Sequence, residues 1–506
     1  MDYSQQNWVD YSLDTPLSAA RLNHIEAALA ELAAAVSGGD AVAAGAVAGS
    51  PTSAALNTQV INNLLTGGNV SLPAGTFWIN DSIKIPSYRW LHGAGQGLTW
   101  IKMVDGAPFN SPAVTNSGNT FTSHTTPNVY LRISDLSVDG GRANRAAGTS
   151  VNEGGCAIQL ACVEHSTIER VHATNGQHSF DISASMYRDD GPALYAQGPS
   201  RWVTVRDCVG EYATGQTDDQ FTTHHSQHIW FENCVAINPT ARVTYNNSHG
   251  FEADDGSQDI VFKNCYAYGF NSGFQAKGHP LGPPARRVTF EDCVADTCRV
   301  GFDIQSLDAT TYDGSDGALP TGYAVSADVQ VIRGRVRNIT DTLGDGSNDQ
   351  MAVRLVGYTD VEIRDLIVQD SPRGFIKLQD HCGRIVLDTI VFENSWTAPP
   401  AYAVTKGLGA IAVGTAAGTD PATDPLRPAG DHITIKNVVV RTAGIAANTP
   451  VISVAQNTNT YLTIDGVEAS GSGNGAVVYQ AGAGTDWSVT NLDVSGWTSD
   501  IFDATA

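Results

Sequence analysis

Charge is scarce in this 506-residue chain, and positive charge is scarcer than negative. Asp, Glu, Lys and Arg make up 16% of it, and 29 Lys plus Arg stand against 52 Asp plus Glu. The resulting net charge of −23 argues against a nucleic-acid partner, because a phosphate backbone is held by Lys and Arg. It also disfavours an anionic polymer unless a local basic patch or a metal ion intervenes. Long apolar runs are missing: no stretch of about 18 apolar residues occurs, so no membrane-spanning helix and no membrane partner are expected. The opening Met1-Asp2-Tyr3-Ser4-Gln5 lacks the basic and apolar segments of a secretory signal. No tight metal-ligand spacing of the His-Glu-x-x-His kind occurs. There are eight cysteines, but four of them share one sequence context, which reads as reduced core residues rather than a disulfide framework.

What the chain does have is glycine, 51 residues of it, and a repeat. The segments VRDCVGE (205–211), FENCVAI (231–237), FKNCYAY (262–268) and FEDCVAD (290–296) each alternate apolar residues and then place Asp or Asn before Cys. Their cysteines, 208, 234, 265 and 293, are separated by 26, 31 and 28 residues. The same context without Cys surrounds Leu136, Val171, Leu366, Ile390, Val438, Val467 and Leu492, with an irregular coil near Gly334-Arg335. A short strand cannot bury its apolar face alone, but stacked in parallel at about 4.8 Å it buries like side chains over like. Turn insertions then change the step without disturbing the register. A propeller blade would repeat near 40–45 residues, and a sandwich would lack such a side-chain ladder. The expected fold is therefore all-β: a right-handed parallel β-helix of about twelve coils over residues 56–506.

Ahead of it, residues 15–36 read as a helix. Thr15 and Pro16 suit its start, and Leu22, Ile25, Leu29, Leu32 and Val36 follow at a/d spacing. Residues 1–36 are thus expected to be an attachment or trimerisation segment, or an ordinary amphipathic helix. Residues 37–55, rich in Gly and Ala, are expected to be a linker. A second short helix is expected at about 56–66.

A second ladder runs through the same coils. Phe180, Phe221, Phe251, Phe274 and Phe302 each begin a strand, with Phe375 later, and Ile182, Thr223, Ala253, Ala276 and Ile304 follow two residues on. Alternation turns these inward, so positions i+1 and i+3 face outward. They are Asp181, Thr222, Glu252, Gln275 and Asp303, then Ser183, His224, Asp254, Lys277 and Gln305, flanked by Asp218, Asp219, His225, Asp255 and His279. Charges on a solvated face are ordinary one at a time. Here carboxylates, imidazoles and an ammonium cluster over five rungs.

Glu252 and Asp254 lie about 6.5 Å apart along one strand, and Glu252 and Asp303 about 9.6 Å apart across two rungs. Paired carboxylates at such separations suit glycoside cleavage with retention or inversion, and crowding raises one pKa to leave an acid beside a base. A lyase would instead set a base near a cation that stabilises an enolate, a role open to Lys277, His224 or His279. Asp218, Asp219, His224, His225, Asp254 and His279 are also suitable ligands for a divalent metal. Tyr187, Trp202, Trp230, Tyr245 and Tyr312 can stack on sugar rings, although Trp202 and Trp230 also suit the core.

Three segments resemble known families. DTPLSAARLNHIEAALAEL (14–32) is similar to the N-terminal segment of minor tail proteins of phages that infect actinobacteria. NVSLPAGTFWINDSIKIPS (69–87) with LHGAGQGLTWIKM (91–103) resembles the opening coils of the pectin-lyase-like superfamily. TDDQFTTHHSQHIWFENC (217–234), NSHGFEADDGSQDIVFKNC (247–265) and GFQAKGHP (273–280) resemble a block in phage appendage and tailspike proteins, which are homotrimers that bind and often degrade host cell-surface glycans. That resemblance implies a virion tail location, phage tail proteins as partners and a functional face of Asp218, Asp219, His224, His225, His249, Glu252, Asp254, Asp255, Lys277 and His279. A polygalacturonase pattern is met only in His249-Gly250, with no Arg-Ile-Lys after it. The expectation is a tailspike or minor tail protein that binds and cleaves a host surface polysaccharide. The catalytic candidates are Glu252 and Asp254, with Asp303, Asp218 and Asp219 as further carboxylates. His224, His225, His249, Asp255, Lys277, His279, Asp181 and Gln275 would hold substrate. The alternatives are a non-catalytic receptor-binding tail protein and a cellular polysaccharide lyase or hydrolase.

Overall fold

The computed structural model describes residues 39–503 apart from 121–123, 147–154, 188–195, 213–217, 241–242, 244–247, 279–283, 307–324, 343–349, 379–381, 400–407, 415–431, 442–448, 455–460 and 481–485. Within it the chain winds as a parallel β-helix whose coils stack through three columns of strands. In the first, Gly39, Val70, Leu91, Ile133, Ile168, Val205, Phe231, Phe262, Phe290, Val331, Ile363, Leu387, Ile435, Ile464 and Val489 stand one above another. The second column carries the Phe ladder, from Ile83 and Val114 through Phe180, Phe221, Phe251, Phe274 and Phe302 to Val353 and Ile376. The third is made of small residues, including Ala173, Gly210, Ala236, Ala267 and Ala295.

The core is this sequence pattern made solid. Phe180, Phe221, Phe251, Phe274 and Phe302 stack ring on ring at 4.7, 4.8, 5.0 and 5.2 Å. Phe231, Phe262 and Phe290 form a parallel stack at 5.0 and 5.2 Å and meet the first stack edge to face. Both offset stacking and edge contacts suit the ring quadrupole. The Asp or Asn before each Cys has a local cause. Asp207, Asn233, Asn264 and Asp292 hold φ of +54, +54, +52 and +55°, the left-handed region that Asn and Asp tolerate best among residues with a side chain. They turn the chain from the first column to the third. Their side chains also form a ladder, Asn233 donating to Asp207 at 3.1 Å and Asn264 to Asn233 at 2.8 Å. The cysteine that follows is buried, and its thiol donates to the carbonyl one coil back: Cys234 to Val205 at 3.4 Å and Cys265 to Phe231 at 3.5 Å.

On the outside of the first column, charge alternates rung by rung: Glu169, Arg206, Glu232, Lys263 and Glu291 are register neighbours. Like charges therefore never face each other across adjacent strands there, where they would be destabilising.

One expectation needs correction. Residues 37–55 are not a linker where they are described. Gly39–Asp40 pairs with Val70–Ser71, Ala41 and Ala46 are buried in the core, and Pro51–Ser53 forms a 3-10 turn. Alanine and glycine there serve close packing, not flexibility. The short helix is found at Ala54–Gly67 and covers the first coil. Asn57, fully buried, bonds the backbone of Val47 and Trp78, and Asn62 bonds Ser82 and Lys84, so the helix satisfies strand-edge groups that would otherwise face outward. The helix expected over residues 15–36 lies outside the described residues.

Candidate functional site

The outward positions of the Phe column fall into register as expected: Asp181, Thr222, Glu252, Gln275, Asp303 and then Arg354 lie on successive rungs. They are not a solvated face, however. Glu252 and Asp303 are 0% exposed and Lys277 is 2% exposed. Part of the cover is the hairpin of Met186–Tyr187 and Ala196–Gln197, whose Tyr187 ring stacks on His224 at 4.8 Å. A charge stays in such a layer only when it is paired and hydrogen-bonded.

Pairing runs unbroken across the cluster. His178 Nδ1 is 3.5 Å from Asp219, and Asp219 is 2.7 Å from His249 Nδ1. His249 Nδ1 is 3.2 Å from Glu252, which accepts from Lys277 Nζ at 2.8 Å. Lys277 Nζ is also 3.2 Å from Asp254, Asp254 is 3.6 Å from His224 Nε2, and His224 Nδ1 is 3.1 Å from Asp181. Thr222 donates to the second oxygen of Glu252 at 3.2 Å, and Gln159 donates to Asp181 at 2.6 Å. His225 packs over Gly256, whose φ is +64° and where a Cβ would come within 2.3 Å of the imidazole. Asp255 is fully buried beside it.

The carboxyl groups are shifted in opposite directions. Burial, then the charge of Glu252, pushes Asp219 well above the usual carboxylate range. Burial and the neighbouring Asp219 push Asp218 up as well. Glu252 goes the other way: burial opposes its charge, but Lys277 and His249 outweigh it and hold the group well below its usual range. Burial likewise opposes the charge on Lys277, and Asp254, Glu252 and Asp219 override it to hold its pKa well above normal. The face therefore sets acids pushed up by burial beside a carboxylate held down by its cation, the division that acid/base chemistry uses. Asp218 is the half-buried member of the group.

The other sequence candidates separate. Asp303 is engaged by Arg354 through two bonds, 2.7 and 2.5 Å, and by Ser272 and Gln275 at 3.0 and 3.1 Å. It anchors the far end of the cluster rather than pairing with Glu252. Trp202 is 40% exposed, so it is not core, whereas Tyr187 is buried. His279, Tyr245 and Tyr312 lie outside the described residues. Sequence reasoning missed Arg354 and His178. Arg354 is one rung beyond Asp303, but the ladder there changes from Phe302 to Val353, so the Phe signal fails. His178 stands two residues before Phe180 in a stretch with no repeating pattern.

Among the described residues, three overlapping groups bring metal-ligand atoms within 4.8 Å: His178, Asp218 and Asp219; Asp219, His249 and Glu252; and His224, Glu252 and Asp254. In the last, the ammonium of Lys277 already stands between Glu252 and Asp254, supplying the positive charge a cation would bring.

Fold and site together define a parallel β-helix with a buried layer of paired carboxylates, imidazoles and an ammonium. Residues 45–274 match the family described as rhamnogalacturonase A/epimerase, pectate lyase-like. Over 233 residues the chain is 34% identical to the pre-neck appendage protein of Bacillus phage phi29, covering 44% of this chain and 26% of that one. Over 241 residues it is 30% identical to the putative phage-related protein YobO of Bacillus subtilis, covering 46% of this chain and 28% of YobO. Among solved structures, the N-terminal fragment of bacteriophage phi29 gene product 12 superposes with a TM-score of 0.71 at 21% identity, over 96% of this chain and 75% of that one. The chain thus shares its fold with a fragment of a bacteriophage gene product and is similar to phage pre-neck appendage proteins, of whose length it spans about a quarter.

Proposed function

We propose that this chain is a virion tail appendage protein whose β-helix binds a host cell-surface polysaccharide and cleaves it by general acid/base chemistry on the Phe-column face. The observation that carries this reading is the buried chain of contacts from Asp219 through His249 to Glu252 and Lys277, 0–2% exposed, in which burial pushes Asp219 up while Lys277 and His249 hold Glu252 down. Asp218 and Asp219 form the proton-donating side. Glu252, fixed by Lys277, is the ionised partner, and Asp254 shares the same ammonium. His224, His225, His249 and Tyr187 would shape the surrounding subsite. The pectate lyase-like family match and the phage relatives support the substrate class and the virion location.

The expected assembly is a homotrimer bound to other tail proteins. An outward column of half-buried Val209, Val235, Tyr266 and Val294 offers an apolar strip for packing between copies.

The test is depolymerisation of surface polysaccharide from a susceptible host, followed by product size. The native chain shortens the polymer. Asp218→Asn and Glu252→Gln each lower the rate by about 100-fold or more while binding persists. Cleavage unaffected by either change would sink the assignment to this face. A second reading, a receptor-binding appendage without catalysis, is favoured by the near-complete burial of Glu252 and Lys277. It predicts saturable binding with no new chain ends.

A further inference from the structure

A left-handed corner leads into the first column of strands, three residues before each inward residue. In five coils it carries a ring: Tyr88, Tyr130, His165, Trp202 and His228, with φ of +62, +57, +51, +53 and +54°. The conformation does not require rings. It suits Asn and Asp best among residues with a side chain, and in the next coils the same corner holds Asp259, Arg287 and Asp328 at φ of +58, +52 and +50°. Charged corners satisfy one another, as Arg287 and Asp259 do at 2.6 Å. The rings instead stack: Tyr88 on Tyr130 at 5.4 Å, Tyr130 on His165 at 5.2 Å, His165 on Trp202 at 4.8 Å and Trp202 on His228 at 5.8 Å. Four rungs make this column about 19 Å long.

The two ends of the column differ. Beyond His228 the corner turns ionic, with Asp259 3.7 Å from His228 Nδ1. Before Tyr88 the corresponding position is the end of the helix Ala54–Gly67, since Gly67 stands three residues before Val70, the register partner of Leu91. Among the described residues no atom lies within 4 Å of a Cβ built on Gly67 or Gly68. Arg89 fixes the two coils together, donating to the carbonyls of Leu65 and Tyr88 at 3.0 Å each. Tyr88 stacks on Tyr130 through one face and is 51% exposed. A step therefore stands at the foot of the column, with an aromatic face on one side and two glycines on the other.

We infer that this step is a glycan-binding subsite separate from the Phe-column face, in which a pyranose ring stacks on Tyr88 and adds one more ring to the column. This rests on the reading of the chain as a polysaccharide-binding appendage. The C–H bonds on one face of a pyranose carry partial positive charge and meet the negative face of the phenol ring, the complement that also orders aromatic pairs. Side chains in place of the two glycines would fill the position. The exposed Thr66 and the Arg89 guanidinium, whose Nη2 reaches the Thr66 carbonyl at 3.5 Å, border the step and supply a hydroxyl and N–H groups for sugar hydroxyls. The occupant follows from where the column leads. His228, at its other end, is four residues beyond His224, at most about 14 Å along the chain. A polymer laid along the column from Tyr88 arrives beside the buried acid/base layer, and holding it at one place raises its effective concentration at the other.

The experiment uses the full chain and purified surface polysaccharide of a susceptible host, with affinity read by electrophoresis through gels that hold the polysaccharide. Tyr88→Ala removes the stacking face and should weaken binding about tenfold. Gly67→Tyr removes nothing. It sets a protein ring in the open step and should weaken binding by a similar factor, in a chain at least as stable as the native one. Equal binding by the native chain and both variants overturns the inference and leaves the polysaccharide-binding reading standing. Absence of binding by the native chain itself removes that reading and the inference with it. A Gly67→Tyr chain that binds normally but sediments at a lower mass assigns the step to contacts between copies, which also overturns the inference.

Discussion

Asp219 and Glu252 show how one buried layer sets two carboxyl groups against each other. Each also leaves a signature in stability. Glu252 has a folded pKa below its ordinary 4.5, so its contribution is present above that value and is lost as pH falls toward the folded pKa. Asp219 has a folded pKa above its ordinary 3.8, so its contribution is present below 3.8 and is lost as pH rises toward the folded pKa. Asp219→Asn keeps the acceptor for the His249 amide, which bonds at 3.1 Å, and removes the ionisation. We expect this variant to be as stable as the native chain near pH 4 and more stable at pH 8, whereas Glu252→Gln is less stable at pH 8. Urea unfolding at the two pH values measures both. Depolymerising activity should fall in both variants, so a stabilised Asp219→Asn chain would also be an inactive one. If Asp219→Asn gains no stability over the native chain between pH 4 and pH 8, the raised pKa assigned to Asp219 is wrong.

The strand is the scale at which the repeat was legible, and also where reading it reached a limit. The alternation around Phe180 through Phe302 gave the register, and the register gave the companions of Glu252. Alternation cannot say what lies over a face, so positions that point away from the core read as solvated. They are instead covered, in part by a hairpin from an insertion that carries no repeat. The Asp-Cys and Asn-Cys pairs were visible as a motif. Their cause, a left-handed corner, was not, because φ leaves no periodic trace. Small residues mark a further constraint at this scale. Gly250, Gly273 and Gly301 each precede a stacked Phe, and a Cβ on Gly273 would come within 2.7 Å of Ala295 Cβ and 3.0 Å of the Gly301 carbonyl. Gly273→Ala should therefore cost about 1–3 kcal/mol through overpacking. Gly67→Ala, with nothing within 4 Å of the new atom, is the control. Chemical denaturation compares them, and equal midpoints would show that the third column has room to spare.

For the whole molecule, composition limited the partners and the repeat supplied the architecture. Neither showed where the solenoid begins. The Gly/Ala stretch at 39–53 has the composition of a linker and the structure of a packed coil, because a tight coil and a flexible segment both select small residues. Assembly is the remaining property of this scale. Sedimentation at micromolar concentration should give three times the chain mass of 53.4 kDa. A single chain mass would remove the trimer and with it the packing role given to Val209, Val235, Tyr266 and Val294.

The column of cysteines has a consequence for where such a protein can work. A thiol reacts as its thiolate, and burial pushes Cys208, Cys234 and Cys265 well above the ordinary thiol range. The eight cysteines are buried and none is joined in a disulfide. The fold therefore asks nothing of its redox surroundings. It can be completed in a reducing cytoplasm, with no oxidase or isomerase, and carried into an oxidising medium without a change in its covalent structure.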